Sequence, residues 1–168
     1  MSVRHDIRGS LLKYIDEIPG IRYRELLRLT GVSNGVLTYH LELLERSTII
    51  KVDRRSRMTR YYPPSTPTEE FSVIRCMRHR TTRQIITFML EHDLCTFNEI
   101  VEHTKKSPST ISWNLKKLRD AGLISIQYGE YQLYRLADGR VIRDILSKYR
   151  ESFVDKVIEN YIEIADEL

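Results

Sequence analysis

VLTYHLELLERSTIIKV (residues 36–52) and TISWNLKKLRDAGLISI (residues 110–126) align without a gap when the chain is shifted by 74 residues. Leu37 falls on Ile111, Tyr39 on Trp113, Leu41 on Leu115, Leu44 on Leu118, Ile49 on Leu123 and Ile50 on Ile124. At about 100° per residue, Leu37, Leu41 and Leu44 share one helix face, as do Ile111, Leu115 and Leu118. Each stretch therefore reads as a helix with a buried stripe, leading into a short apolar strand.

The same offset carries upstream. LLKYI (residues 11–15) falls on residues 85–89, Glu25-Leu26 on Glu99-Ile100 and Thr30 on Thr104. Two copies are too few for a solenoid, so one supersecondary unit occurs twice, as two small domains in tandem. Each copy has a first helix (about 5–17 and 80–92), a short extended segment (IRY and CTF) and a second helix (about 23–29 and 97–104). A turn follows. In TGVSNG, Gly31 suits a left-handed C-cap and Ser33 an N-cap. In TKKSPS, Ser107 caps and Pro108 takes the first helical position, which needs no N–H. The third helix runs to about 46 or 121, and a β-hairpin comes next: TIIKVD, RRSR, MTRYY in one copy; LISIQ, a turn at Tyr128-Gly129-Glu130, YQLYRL in the other.

Helix, helix, turn, helix, hairpin is the winged helix-turn-helix order. VSNGVLTYHLELLERSTII and KSPSTISWNLKKLRDAGLI resemble the recognition-helix segments of arsenic-repressor-like and multiple-antibiotic-resistance-like winged-helix regulators. Over about 8–137 the chain resembles archaeal-type transcription regulators with two winged helices in one polypeptide. The first copy departs from that pattern at Ser47-Thr48, where the second has the expected Ala121-Gly122 helix stop. The fold class expected is mostly α with small β-hairpins. Its divisions are a first winged-helix domain over 1–63, a linker over 64–70, a second winged-helix domain over 71–137 and a C-terminal amphipathic helix over 138–168.

The resemblance implies double-stranded DNA as the partner, with the front of each third helix in the major groove. There Ser33, Asn34, Thr38 and His40, and Ser109, Thr110, Ser112 and Asn114, offer hydrogen bonds to base edges. Tyr39 and Trp113 are placed to touch a thymine methyl or the sugar backbone. Charge divides the copies. Residues 105–119 hold Lys105, Lys106, Lys116, Lys117 and Arg119 with no acid, whereas 33–46 hold Glu42 and Glu45 against Arg46. The first hairpin compensates with Lys51, Arg54, Arg55, Arg57 and Arg60 against Asp53 alone, a basic wing suited to phosphates or the minor groove. RCMRHRTTR (residues 75–83) reads either as an extension of that footprint or as a soluble linker helix.

The net charge of +4 agrees with an anionic partner. Residues 138–168 carry five Lys and Arg against eight Asp and Glu, a net of −3, so the rest of the chain carries +7. Leu146, Tyr149, Phe153, Val157, Tyr161, Ile164 and Leu168 recur there at spacings of three and four, an amphipathic helix of up to about 28 residues with a break near Arg150-Glu151-Ser152. Such an acidic helix suits a homodimer interface or a fold back over the second domain.

Cys76, His79, His92 and Cys95 resemble a zinc set by spacing alone. A helix over 80–92 holds the two pairs about 20 Å apart, so neither a metal nor a disulfide joins them within one chain. No Gly-rich phosphate loop, nucleophile triad or paired acids appear, so no catalytic residue and no cofactor is expected. The N-terminus lacks a secretory h-region and no apolar run reaches eighteen residues, which points to a cytoplasmic protein without a membrane span. The competing class is a winged-helix scaffold that binds protein instead of DNA.

Overall fold

A computed structural model of the chain describes residues 6–153. Along the first 71 residues, which form one compact unit, run helix α1 (Ile7–Glu17), strand β1 (Ile21–Arg22), helices α2 (Tyr23–Thr30) and α3 (Asn34–Arg46), and strands β2 (Lys51–Asp53) and β3 (Arg60–Tyr62). The second unit begins at Ser72. From that point the chain completes helix α4 (Phe71–Arg78) and continues through α5 (Arg80–Glu91), β4 (Cys95–Thr96), α6 (Phe97–Thr104), α7 (Pro108–Asp120), β5 (Ile124–Gln127), β6 (Leu133–Leu136) and α8 (Gly139–Lys148). The sheets are antiparallel and three-stranded, ordered β1-β3-β2 and β4-β6-β5. The short IRY and CTF segments thus add a third strand to each hairpin.

Local chemistry sets these boundaries. The Ser33 and Ser107 hydroxyls accept from the backbone N–H of Val36 and Thr110, capping α3 and α7. Glu25 and Glu99 reach back to the N–H of Arg22 and Thr96, closing the first turns of α2 and α6. Gly31 ends α2 in the left-handed region, and Lys105 takes the same conformation at the end of α6. The repeat is also explicit in the cores. Leu11, Ile15, Ile21, Leu26, Leu37, Leu41 and Leu44 are buried in the first unit, and Ile85, Met89, Cys95, Ile100, Ile111, Leu115 and Leu118, each 74 residues on, in the second. Each large apolar side chain so buried contributes about 1.5–3 kcal/mol, which orients the third helix by fixing which face it hides.

The irregular helix stop resolves in the backbone. Thr48 has φ 56° and Gly122 has φ 73°, so both third helices end the same way despite different residues. A β-branched residue is strained in that region, whereas glycine is not. Thr48→Gly should therefore stabilise the protein by about 1 kcal/mol, the relief of strain exceeding the added freedom of the unfolded chain. Urea unfolding checks this, with a destabilised variant as the contrary result.

The C-terminal element is not one continuous helix. Asp138 caps α8, Ile142 and Ile145 are buried, and the helix stops at Tyr149, after which residues 150–153, the last described, are again helical. Arg143 donates to the Leu90 carbonyl, and Arg78 donates to the Ser152 carbonyl and hydroxyl at 2.8 and 3.0 Å. The start of this element therefore packs within the second unit. The expected positions Val157, Tyr161, Ile164 and Leu168 lie outside the described residues.

RCMRHRTTR departs from a phosphate footprint at two of its four arginines. Arg78 is 6% exposed, its guanidinium carbon 4.7 Å from the Phe153 ring centroid. Arg83 is half-buried and donates to the Met77 carbonyl, and burial, with Arg80 nearby, pulls its pKa below the usual guanidinium range. These two cations satisfy buried carbonyls and are withdrawn from solvent.

Candidate nucleic-acid interface

The outer face of α7 carries Ser109, Ser112, Trp113, Lys116, Lys117 and Arg119, all exposed. Trp113 is 59% exposed, and the Lys117 ammonium lies 5.4 Å from its ring centroid. Lys105 and Lys106 stand exposed in the turn before the helix. Ser107 ties that turn down, its hydroxyl 3.1 Å from that of Ser109 and 2.8 Å from that of Thr110, which is half-buried. In one face the helix thus joins hydrogen-bonding groups, an aromatic ring and a run of cations.

One expected contact is excluded by geometry. Asn114 is 2% exposed, its amide donates to the Thr110 carbonyl, and its Oδ1 is buried with no hydrogen-bond partner among the described residues. It stands three residues after Ile111 and four before Leu118, which places it in the hidden stripe. His40, its counterpart in the first copy, is half-buried with Nδ1 in the interior and its ring edge-on to Tyr39 at 5.3 Å. Neither side chain projects from the outer face as Ser112 does.

In the first unit α3 presents Ser33, Asn34, Thr38 and Tyr39, exposed at and after its start, with Tyr39 at 57%. The Tyr23 hydroxyl lies 3.1 Å from the Asn34 carbonyl, the Asn34 Oδ1 and the Thr38 hydroxyl. Tyr23 therefore orients two candidate base readers, a role its position in α2 did not advertise.

The wing is less free than its composition implies. Arg54 gives both terminal N–H groups to the Glu45 carboxylate, at 2.6 and 2.7 Å, and so joins α3 to the hairpin. This hydrogen-bonded pair holds the Glu45 pKa below the usual carboxylate value. A carboxyl lowered on folding adds stability above its unfolded pKa and loses it as pH falls through the folded pKa, so the clasp opens only in acid. Arg55 donates its Nε to buried Asp53 at 2.9 Å and has its guanidinium carbon 5.8 Å from the Phe71 ring centroid, with its side chain still 57% exposed. Arg60 is half-buried and donates to the Gly20 carbonyl at 2.7 Å, and Lys51 donates to the Thr66 carbonyl at 2.8 Å. Arg60 is thus a strand-pairing residue, contrary to its expected place in the phosphate grip. Arg57 is exposed and enters no ion pair among the described residues.

Glu45→Gln should break the charge pair and release Arg54. Such exposed pairs are worth about 0–1 kcal/mol, so the fold should hold. If the first unit binds DNA, the plot of log affinity against log salt should steepen by about 0.9, one more phosphate contact. An unchanged slope with weakened binding would mean that the clasp's main service is to position the wing.

Helix α5 stands between the two halves of the Cys/His spacing, with His79 and His92 at its ends. Cys76 and Cys95 are buried and in no disulfide, and burial pushes the Cys95 thiol up to about 11. Among the described residues no group of three His, Cys, Asp or Glu side chains could hold a metal ion, and no helix is long and apolar enough to cross a membrane.

Residues 80–125, from α5 into β5, match the family described as bacterial regulatory protein, arsR family. An uncharacterized HTH-type transcriptional regulator of Methanocaldococcus jannaschii is 26% identical over 120 residues, which cover 71% of this chain and 30% of that protein. The chain thus spans under a third of the length of that relative. The crystal structure of the transcriptional repressor BigR from Xylella fastidiosa aligns at 16% identity with a TM-score of 0.42, covering 47% of this chain and 81% of that one; the likeness is too loose to argue from. The second unit thus has the helix and hairpin order of a winged helix-turn-helix, and its residues 80–125 are similar in sequence to the arsR family.

Proposed function

We propose that this chain is a sequence-specific, double-stranded DNA-binding regulator of transcription, without enzymatic activity, that uses two winged helices in tandem. The observation that carries the reading is the outer face of α7, where Ser109, Ser112 and Trp113 stand beside Lys116, Lys117 and Arg119. Hydrogen-bonding groups on a helix face read base edges, and flanking cations bind phosphates and fix the register. Lys105 and Lys106 extend the phosphate contact from the preceding turn. In the first unit Asn34, Thr38 and Tyr39 read bases, while Arg57 and Arg55 meet phosphates. Arg54 positions the wing.

The acidic C-terminal segment, 138–168, suits a homodimer, because a net-negative amphipathic sequence is a poor DNA ligand and a good partner surface. The cytoplasm is the compartment that such work requires. Selecting duplex fragments of the source genome on the purified protein, then sequencing them, tests the reading. Enrichment of one motif is expected, and half-sites related by a two-fold axis support the dimer. Uniform recovery of all fragments contradicts sequence specificity, and no recovery favours a protein-docking module.

A further inference from the structure

The two units differ where the third helix faces its wing. In the first, Glu45 and Arg54 close that space with a bidentate ion pair. Seventy-four residues on, the same two positions are Arg119 and Tyr128. The wing loop is one residue shorter after that point, since residues 54–59 separate paired Asp53 and Arg60 whereas residues 128–132 separate paired Gln127 and Leu133. Arg119 has only its neighbour Asp120, at 3.9 Å, as an ion-pair partner among the described residues, none on the wing, and a groove of about 460 Å³ opens between α7 and the hairpin.

The lining of this groove is specific in its chemistry. Trp113, Tyr128, Phe97 and Tyr134 supply rings, Lys116 and Arg119 supply positive charge, and no acid lines it. Trp113 is 59% and Tyr128 70% exposed, so both rings present most of their surface to a ligand. The Lys117 ammonium beside the Trp113 ring sets a cation next to anything stacked there. Exposed rings flanked by cations are what a single-stranded nucleic acid requires, with bases stacking and phosphates neutralised. The volume is ample for a single base and lies within the range of about 300–1,000 Å³ typical of sites for small ligands. Ser112 and Gln132 add hydrogen-bonding groups for a base edge.

We propose that the groove between α7 and the second wing takes an unstacked base, so that the second unit prefers DNA whose strands are locally separated. This deepens the reading of α7 as a nucleic-acid surface and rests on it. The first unit, its corresponding gap clasped by Glu45 and Arg54, remains suited to continuous duplex.

Trp113 is the chain's single tryptophan, so its emission reports on the groove directly. The full chain is titrated with three DNAs of one sequence: continuous duplex, the same duplex with a four-base mismatched bubble, and the single strand. The bubble is expected to bind about tenfold more tightly than the duplex and to quench Trp113 more strongly, as stacking on an aromatic ring does. Trp113→Ala and Tyr128→Ala should each abolish the preference, and Trp113→Phe should keep it. Both positions are exposed, and circular dichroism verifies that the variants fold. Equal binding of duplex and bubble overturns this inference while leaving duplex recognition intact. A preference that survives both alanine variants overturns the assignment to the groove. Binding to none of the DNAs, with quenching by an acidic peptide in their place, overturns the inference together with the reading beneath it.

Discussion

Reversing two charges on α7, Lys116→Glu with Lys117→Glu, should weaken duplex binding by about a hundredfold or more at low salt and flatten its salt dependence by about two units. Both side chains are exposed and neither is in an ion pair among the described residues, so their positive charge is available to a ligand. The loss has two sources. Each reversal removes a counterion-releasing contact, and each new carboxylate repels the phosphate that the lysine attracted. The helix itself should tolerate the change, because charges against the helix dipole in the last turns cost about 0.3–1 kcal/mol. The same double reversal at Arg8 and Lys13, both exposed on α1, serves as the charge-matched control and should have little effect. Filter binding over a salt series measures all three proteins. Equal losses from the α1 and α7 reversals would mean that binding follows total charge and that α7 has no special role.

Ile111→Ala should cost about 2–5 kcal/mol, by lost apolar transfer and by the cavity left behind. Ile111 is 0% exposed on the hidden face of α7, alongside Leu115 at 4% and Leu118 at 0%. Against a typical domain stability of about 5–15 kcal/mol, that is a large fraction. Ser112→Ala, one residue on and outward, should change stability by less than about 0.5 kcal/mol. Thermal unfolding of the two variants reads this contrast as a melting point lower by about 10 °C or more for Ile111→Ala alone. Similar melting points would mean that α7 turns a different face to the core.

The sequence makes the elements legible because their ends are chemically marked. Ser33 and Ser107 cap the third helices, Glu25 and Glu99 close the second, and the offset between copies places α2 on α6 and α3 on α7 residue for residue. The candidate site was less legible, for two physical reasons. Polarity misleads where a helix position is ambiguous: Asn114 and His40 look like readers of bases, yet their spacing from the buried leucines and isoleucines sets them inward. Charge misleads where its partner is distant in sequence: Arg78 meets Ser152 and Phe153 across more than seventy residues, and Arg54 meets Glu45 across a helix end and a strand. The second of these left a trace. Glu45 and Arg54 are replaced together in the other copy by Arg119 and Tyr128, and reading the repeat pairwise identifies two positions that face each other.

That comparison also answers why α3, proposed to meet DNA, carries acid. Glu45 sits in the last turn of α3 and spends its charge on Arg54, away from Ser33, Asn34 and Thr38 at the front. The acid orders the wing while the polar front of the helix stays free. In α7 the corresponding turn is basic, and the wing is left apart from the helix.

The outer face of α7 and its flanking lysines are proposed to engage DNA phosphates. The slope of log affinity against log salt for the intact protein on one duplex tests this most directly. With Lys105, Lys106, Lys116, Lys117 and Arg119 exposed on one surface, and further cations on the first wing, a slope of about −4 or steeper is predicted, falling by about two in Lys116→Glu with Lys117→Glu. A slope near zero, or one that the double variant leaves unchanged, would contradict the claim.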